Sequence, residues 1–554
     1  MTAFPVLDDR LLLLHPDDDC LVARVAVTAG TPLQLESASV ELETALGVGS
    51  KIARRDLEAG QEVRKCGGII GRTSTPVRAG SHLHVHNIVS SYLPAHLVGG
   101  AAVEPGTTFT GTREAETLPE GLVMFDSDPP FGRARGVRRE RGPLPSGTFV
   151  CNELPLAFSG FLRADGRKGI RNQLLVVYTV ECAHHVASRI AQPLSSTAPV
   201  NVQVVGFPGC YPNEYAQRVL RALCTHPNVG GALLVSLGCE SFDSMSLLES
   251  VRASGRWGER LVIQEDGGTS ATIDRGRGLV VRALREIDRV DRVPMTTSEL
   301  VVGTICGGSD STSVLTANPA VGRAFDLLVS DGAACIFEET GELIGCEESL
   351  RRRGVNDVIG EELRNRVLKA AAYYQQMGHA SIAPGNLVGG ITTIEEKSIG
   401  AYAKSGSAPI AGIIEPGEAP PSGGLFLLDV VPDGEPRFGY PNINDTTEVV
   451  ELIACGCHVI LFTTGRGSVV GSVISPVVKV CANPETYAKM SDDMDVNAGR
   501  VLLGTSTIED IGREIYSMVG EIAGGTLTRS ESLGHQEFQL GYKVFRSREP
   551  SCLA

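Results

Sequence analysis

Four cysteines stand in matching positions, each just past a short apolar run. Residues 300–305 lead into Cys306-Gly307-Gly308-Ser309-Asp310, and residues 174–180 end in Glu181-Cys182. Residues 202–205 pass through Gly206-Phe207-Pro208 to Gly209-Cys210, and residues 232–237 end in Gly238-Cys239-Glu240. Such runs read as buried strands, and open parallel sheets bind ligands beyond the carboxyl ends of their strands. One thiol there is ordinarily a small buried hydrophobe. Four in matching register predict one shared rim, where thiolates serve as soft metal ligands. Ser309, Asp310 and Glu240 add a hydroxyl and two carboxylates beside them.

Two further sets carry chemistry. His82, His84 and His86 alternate, which in a strand places all three on one face. Imidazoles so grouped ligate metals, bind carboxylates or exchange protons; the bland alternative is a solvated strand edge. Arg163, Arg167, Lys168 and Arg171 crowd the segment GFLRADGRKGIRN, and Arg466 lies between glycines in TTGRG. Arginine's planar fork suits carboxylate recognition.

These groups need a scaffold, and the sequence outlines one. Residues 11–90 are β-rich, with Ala-Gly turns before Gly30, Gly60 and Gly80. Residues 91–155 carry prolines at 105, 119, 129, 130, 143 and 145 and a basic run at 133–141, which reads as a linker. From 156 onward strand and helix signals alternate, as in parallel βαβ units. Helices are expected over 213–225, 276–290, 361–377 and 507–523. Strands are expected over 232–237, 261–264, 333–337, 409–414, 425–430 and 459–462.

With 554 residues the chain has room for several domains. A net charge of −15 argues against nucleic acid as a partner. The 14 cysteines show neither a dense disulfide pattern nor a CxxC zinc pair. No apolar stretch approaches the ~18 residues of a membrane span. No secretory signal opens the chain, so a cytoplasmic protein with reduced thiols is expected. The P-loop, the GxGxxG dinucleotide fingerprint and the GxSxG elbow are absent.

Taken in order, TVEC, GC, LGCE, CGGSD, TANPAVGR, GN-x-x-GGITTIEEKS, TTGRG and D-x-NAGR resemble the altronate/galactarate dehydratase family of sugar-acid dehydratases, whose relatives include sulfolactate sulfo-lyases. The resemblance spans nearly the whole chain apart from the linker. It implies a small N-terminal β-clip (SAF) domain over 1–90, a linker over 91–155, an α/β domain over 156–295 with a dimerisation role, and a Rossmann-like parallel-sheet catalytic domain over 296–554. It also implies a homodimer and iron-dependent removal of water from an aldonic or aldaric acid, giving a 2-keto-3-deoxy acid. On that reading Cys182, Cys210, Cys239 and Cys306 are ligands for iron, as Fe2+ or as an iron–sulfur cluster. Arg163, Arg167, Arg171, Asn172, Arg466 and Ser309 hold substrate, and His84, His86, Lys397, Glu240 and Asp310 are catalytic. The β-rich module would act as a lid that brings its histidines over the site. The chain departs from the family at TTGRGSVVG, where TTGRGTP is usual, and at Phe207-Pro208-Gly209-Cys210, which bears on the substrate rather than the reaction. Two other readings are a nucleotide-dependent oxidoreductase, which lacks its fingerprint, and a non-catalytic sugar-acid-binding protein.

Overall fold

The computed structural model describes residues 7–36, 38–92, 156–192, 201–378, 381–434 and 444–543. The expected linker and its basic run lie outside the described residues, apart from 91 and 92. Nine short strands, β1 (Leu11–Leu12) through β9 (Ile88–Val89), build the N-terminal module. Its main sheet is antiparallel, β1 pairing with β2 (Cys20–Ala23), β2 with β5 (Lys51–Ala53) and β5 with β8 (His82–Leu83). The Ala-Gly turns form as expected: Gly30, Gly60 and Gly80 all adopt φ near +80°, which favours glycine.

Strands β10 (Ala157–Leu162), β11 (Lys168–Gly169) and β16 (Arg292–Thr296) make a small antiparallel sheet. Between them runs a parallel sheet of β12 (Gln173–Tyr178), β13 (Val202–Gly206), β14 (Val229–Ser236) and β15 (Trp257–Val262), ordered β13-β12-β14-β15. Helices α1 (Glu181–Ala191), α2 (Glu214–Cys224), α3 (Ser244–Ala253) and α4 (Thr269–Ile287) flank it.

The third unit is a seven-stranded parallel sheet. Its strands are β17 (Val301–Cys306), β18 (Ala334–Phe337), β19 (Ile410–Ile414), β20 (Gly424–Leu428), β21 (Val459–Thr464), β22 (Val477–Cys481) and β23 (Val496–Asn497). They lie in the order β19-β20-β18-β17-β21-β22-β23. Every residue of β21 is buried, as a parallel strand covered on both faces requires. The helices are α5 (Ala317–Ser330), α6 (Glu347–Arg353), α7 (Asp357–Met377), α8 (Pro384–Val388), α9 (Ile394–Lys404), α10 (Asp445–Ala454), α11 (Pro484–Lys489), α12 (Ile508–Gly524) and α13 (Arg529–Leu533). The expected elements all form, most shifted by only a few residues at their ends. The fold is mixed α/β, with a small β module preceding two parallel sheets.

The strand order reverses at β17: β18 lies on one side of it and β21 on the other. The carboxyl ends of β17 and β21 therefore flank a topological switch point, where such sheets hold ligands. That crevice lies between Cys306-Gly307-Gly308-Ser309 and Thr463-Thr464-Gly465-Arg466. The four cysteines expected on one rim are split. Cys182, Cys210 and Cys239 follow three adjacent strands of the four-stranded sheet, whereas Cys306 ends β17 in the other sheet. Strand pairing is a tertiary choice that apolar runs do not encode.

The β module is docked onto the body. Its core residues Leu14, Val22, Val63 and Ile70 share a cluster with Val314, Leu315, Ile399 and Leu502. Lys51 and Lys65, both buried, reach Glu396 of α9 at 2.9 and 2.8 Å. Lys51 Nζ also donates to the Gly390 carbonyl, and Thr393 Oγ1 donates to the Ile70 carbonyl. Burial would raise the Glu396 carboxyl, but the two ammonium groups hold it well below the usual carboxylate range. This buried charge contact replaces the freely swinging lid that the sequence suggested.

His458 ties β17 of the seven-stranded sheet to β11 of the small antiparallel sheet. Its Nδ1 accepts from the Val301 amide at 3.0 Å, and its Nε2 donates to the Lys168 carbonyl at 2.9 Å. Burial pushes its pKa down to about 4 from an ordinary 6.5. The folded chain thus holds the imidazole neutral where the unfolded chain binds a proton. The contribution is complete above pH 6.5 and is lost as pH falls toward 4, by as much as ~3 kcal/mol. Thermal melts from pH 7 to 4 should show this loss, and His458→Gln should flatten the slope. An identical slope in the variant would remove His458 from the account.

Candidate active site

The carboxyl end of β17 delivers Cys306 into a buried polar cluster. Ser309 Oγ donates to Cys306 Sγ at 2.9 Å, and the thiol faces Glu339 Oε1 at 3.1 Å and Glu342 Oε2 at 3.5 Å. Glu339 Oε2 also accepts from the Cys306 amide at 3.3 Å. Two lysines from α9 complete the set: Lys404 pairs with Glu339 and Lys397 with Glu342. Glu339 sits just beyond β18 at φ 77°, ψ 46°. That left-handed conformation is rare outside glycine, and here it turns the carboxylate back onto Cys306. Burial, then the nearby Glu342, pushes the thiol up to about 11. For Lys397, burial alone would lower the pKa, but Glu342 and Cys306 raise it, so the ammonium stays charged. The space lined by Cys306, Ser309, Asp310 and Lys397 is about 10 Å³, room for one water.

Close backbone approaches set the crevice. Gly307 N donates to the Thr463 carbonyl, and Gly465 N and Arg466 N both donate to the Gly308 carbonyl. A Cβ on Gly465 would lie 2.1 Å from Asp310 Oδ1, so only glycine fits there. Asp310 itself, buried, accepts from the Thr312 amide at 2.8 Å and hydroxyl at 2.5 Å and from Asn483 Nδ2 at 3.3 Å. These bonds make it a builder of the loop. Arg466 is exposed at the crevice edge and donates to the Gly385 carbonyl.

The histidines meet, though not as expected. Residues 84–87 form a turn between β8 (His82–Leu83) and β9, because Asn87 Oδ1 accepts from the His84 amide and Asn87 Nδ2 donates to the His82 carbonyl. The ring centroids of His84 and His86 still lie 5.4 and 6.1 Å from that of His82. His82 and His86 border an open cavity of about 500 Å³, with Glu43 and Arg78 also on its walls. His84 turns instead toward the Leu387 carbonyl of α8. The neighbouring Asn386 donates to the Ser309 carbonyl, so one short helix links the histidine turn to the crevice.

The arginine motif is structural. Arg163 spends its guanidinium on Pro227 O, Asn172 Oδ1 and Arg171 O; Arg171 pairs with Glu531 of α13 and bonds the carbonyls of Ile170, Ile522 and Thr526. Asn172 bridges Arg163 to the Ile287 carbonyl, and Arg167 pairs with Asp165. All four precede β12, at the opposite end of that strand from Cys182; Arg163, Arg171 and Asn172 have their donors committed inside the protein, and the exposed Arg167 is held by Asp165 and the Thr225 carbonyl. They are not placed to hold a substrate carboxylate. Glu240 stays on the other rim, where Thr179 Oγ1 and the Leu237 and Gly238 amides donate to it. Burial would raise its pKa, but these bonds lower it.

Comparison with known proteins accounts for the same three segments. Residues 9–91 match the altronate/galactarate dehydratase SAF domain, and residues 160–288 match the second domain of D-galactarate dehydratase/altronate hydrolase. Residues 297–545 match the C-terminal domain of D-galactarate/altronate dehydratase. The chain is 28% identical to the altronate dehydratase of Bacillus subtilis over 542 residues, covering 95% of this chain and 97% of that one. It is 31% identical over 403 residues to the (2R)-sulfolactate sulfo-lyase subunit beta of Chromohalobacter salexigens, covering 69% of this chain and 96% of that one. The alpha subunit of the same sulfo-lyase is 34% identical over 84 residues, 14% of this chain and 89% of that subunit. The chain belongs to the altronate/galactarate dehydratase family.

This dehydratase-family chain is accordingly a hydro-lyase, and no described helix is long and apolar enough to cross a membrane. Its central cluster contains groups that sequence reasoning passed over: Glu339, Glu342 and Lys404, and the Lys51–Lys65–Glu396 contact behind them. The run after β18, Glu338-Glu339-Thr340-Gly341-Glu342, carried the only signal, three acids past a strand end. Glu338 is buried with neither carboxylate oxygen hydrogen-bonded among the described residues. Burial, with Glu448 and Glu451 beside it, pushes its pKa well above the usual carboxylate range. Cys306, Glu339 and Glu342 bring their ligand atoms within 4.8 Å of one another, close enough for one metal ion. Both carboxylates already have lysine partners, so the triad is charge-balanced without one.

Proposed function

We propose that this protein dehydrates a polyhydroxy sugar acid, aldonic or aldaric, to a 2-keto-3-deoxy acid with the help of iron. The observation that carries the reading is the Cys306–Glu339–Glu342–Lys397–Lys404 cluster at the switch point of the seven-stranded sheet. Loss of water from a 2,3-dihydroxy acid needs removal of the proton alpha to the carboxylate and departure of the C3 hydroxyl. Iron, where bound, supplies Lewis acidity toward the carboxylate and the leaving oxygen. The chain's own groups divide the remaining work. Lys397, held as an ammonium, stabilises negative charge growing on the enediolate. Burial and then Lys51 lower the pKa of His84 and keep it neutral; its Nδ1 accepts from the Val85 amide, so it takes the alpha proton at its other nitrogen once the ring leaves the Leu387 carbonyl. Arg466, exposed at the crevice, is the carboxylate clamp, and Ser309, whose hydroxyl donates to Cys306 Sγ, leaves its oxygen as an acceptor at the floor.

The sulfo-lyase relative favours a second reading, elimination of sulfite from a 2-hydroxy-3-sulfonate. One panel separates the two. The iron-loaded protein is given altronate, galactarate and (2R)-sulfolactate anaerobically, and keto-acid and sulfite are measured. Keto-acid from altronate or galactarate without sulfite is the expected result. Sulfite from sulfolactate alone would move the protein to the second reading. Binding of a sugar acid with no turnover at all would make it a binding protein.

A further inference from the structure

Of the cysteines in the described residues, only Cys182, Cys210 and Cys239 are exposed. Cysteine is among the most buried residue types, so a single exposed thiol is unusual. Three that follow adjacent parallel strands are a pattern. Strand spacing puts the ends of β13, β12 and β14 within about 10 Å of each other.

The loops bearing the thiols are fastened together. Glu181 N donates to the Pro208 carbonyl at 3.2 Å, and Ser241 N donates to the Cys210 carbonyl at 2.9 Å. Thr179 Oγ1 reaches across from β12 to Glu240 Oε1 at 2.5 Å. Gly238 takes φ 122°, a conformation open to glycine, in the turn that presents Cys239. Gly209 packs on the Tyr542 ring, where any Cβ would collide with its hydroxyl, and so fixes the Cys210 loop. The three sulfurs do not fall within 4.8 Å of one another, unlike the Cys306 triad. That spacing is too wide for one ion. Thiols at neighbouring strand ends that no single ion reaches are bridged by a multi-iron cluster, in which each sulfur holds a different iron.

We propose that Cys182, Cys210 and Cys239 together hold a [4Fe–4S] cluster whose fourth iron has no protein ligand. Three thiolates on four irons leave one coordination site for an oxygen ligand such as a hydroxyl or carboxylate. The inference deepens the iron dependence proposed for the dehydratase and rests on that reading only for the cluster's use. The rim is also tied to the catalytic crevice. Lys543, next to Tyr542, pairs with Glu451 of α10, and the same helix begins at Asp445 beside Gly307. Six residues of helix separate Asp445 from Glu451, about 9 Å.

The test is an iron and labile-sulfide count on the full chain, reconstituted anaerobically with ferrous iron and sulfide. About four irons and four sulfides per chain are expected, with a broad visible charge-transfer band. Cys182→Ser, Cys210→Ser and Cys239→Ser, all changes at exposed positions, should each lower bound sulfide at least ~10-fold. Cys306→Ala should retain the full count. A single iron without sulfide would overturn the proposal, as would undiminished sulfide in the three serine variants or its loss in Cys306→Ala. A full cluster in a protein that dehydrates nothing would leave the cluster standing and defeat the functional reading instead.

Discussion

Replacing Lys397 by glutamine is expected to lower kcat by about 10²–10⁴-fold, the range for loss of a charged group acting on the transition state. KM should move far less. The glutamine amide can still donate to Glu342 and to the Ser381 carbonyl, as Lys397 Nζ does. The loss therefore reports charge rather than a missing bond. A purely structural lysine predicts something different. The double variant Lys397→Gln/Glu342→Gln restores charge balance, so on that view it should recover both stability and turnover. Recovery of stability with kcat still depressed is the expected result. Full recovery of kcat would assign Lys397 to scaffolding.

The second large effect concerns stability. Glu396→Ala leaves Lys51 and Lys65 buried with no counter-charge, and truncating one side of a buried ion pair typically costs about 3–5 kcal/mol. Glu396→Gln should cost less, since it keeps acceptor capacity. Denaturant unfolding followed at two signals, one from the N-terminal module and one from the body, reads this directly. The module should unfold first in Glu396→Ala, as a separate early transition. A single unshifted transition would mean that the shared apolar cluster with Val314, Leu315 and Ile399 carries the docking alone.

The local grammar of the fold was legible because it is carried by neighbours in sequence. Apolar β-branched runs gave the strands, and Thr393 ahead of Glu395-Glu396 marked the start of α9, where its hydroxyl accepts from the Glu396 amide. Cys306 and Ser309 were found the same way, as chemistry at a strand end. What long-range contact decides was hidden. Arg171 looks like a substrate clamp until Glu531, 360 residues away, takes its fork. The histidine strand becomes a turn because Asn87 closes a ring onto His82 and His84. The split of the four thiols follows from which strands pair. Glu339 was overlooked because nothing in the run Glu338-Glu339-Thr340 announces a left-handed backbone. Lys51 and Lys65 sit in short strands of a β module, where nothing in the neighbouring residues announces that the body covers them.

That pair of lysines has a consequence for how such a chain changes over generations. Two positions in the module and one in α9 form a lock whose acid cannot be lost before its lysines. Losing the acid strands two cations, and turning either lysine into an acid sets like charges side by side in the interior. Of the single steps out of the lock, only the loss of one lysine leaves the buried charges balanced, one ammonium against one carboxylate. The module can therefore drift freely over its surface and still be heritable only as one piece with its body. A graft of a foreign β module onto this body would have to bring at least one buried lysine with it to answer Glu396.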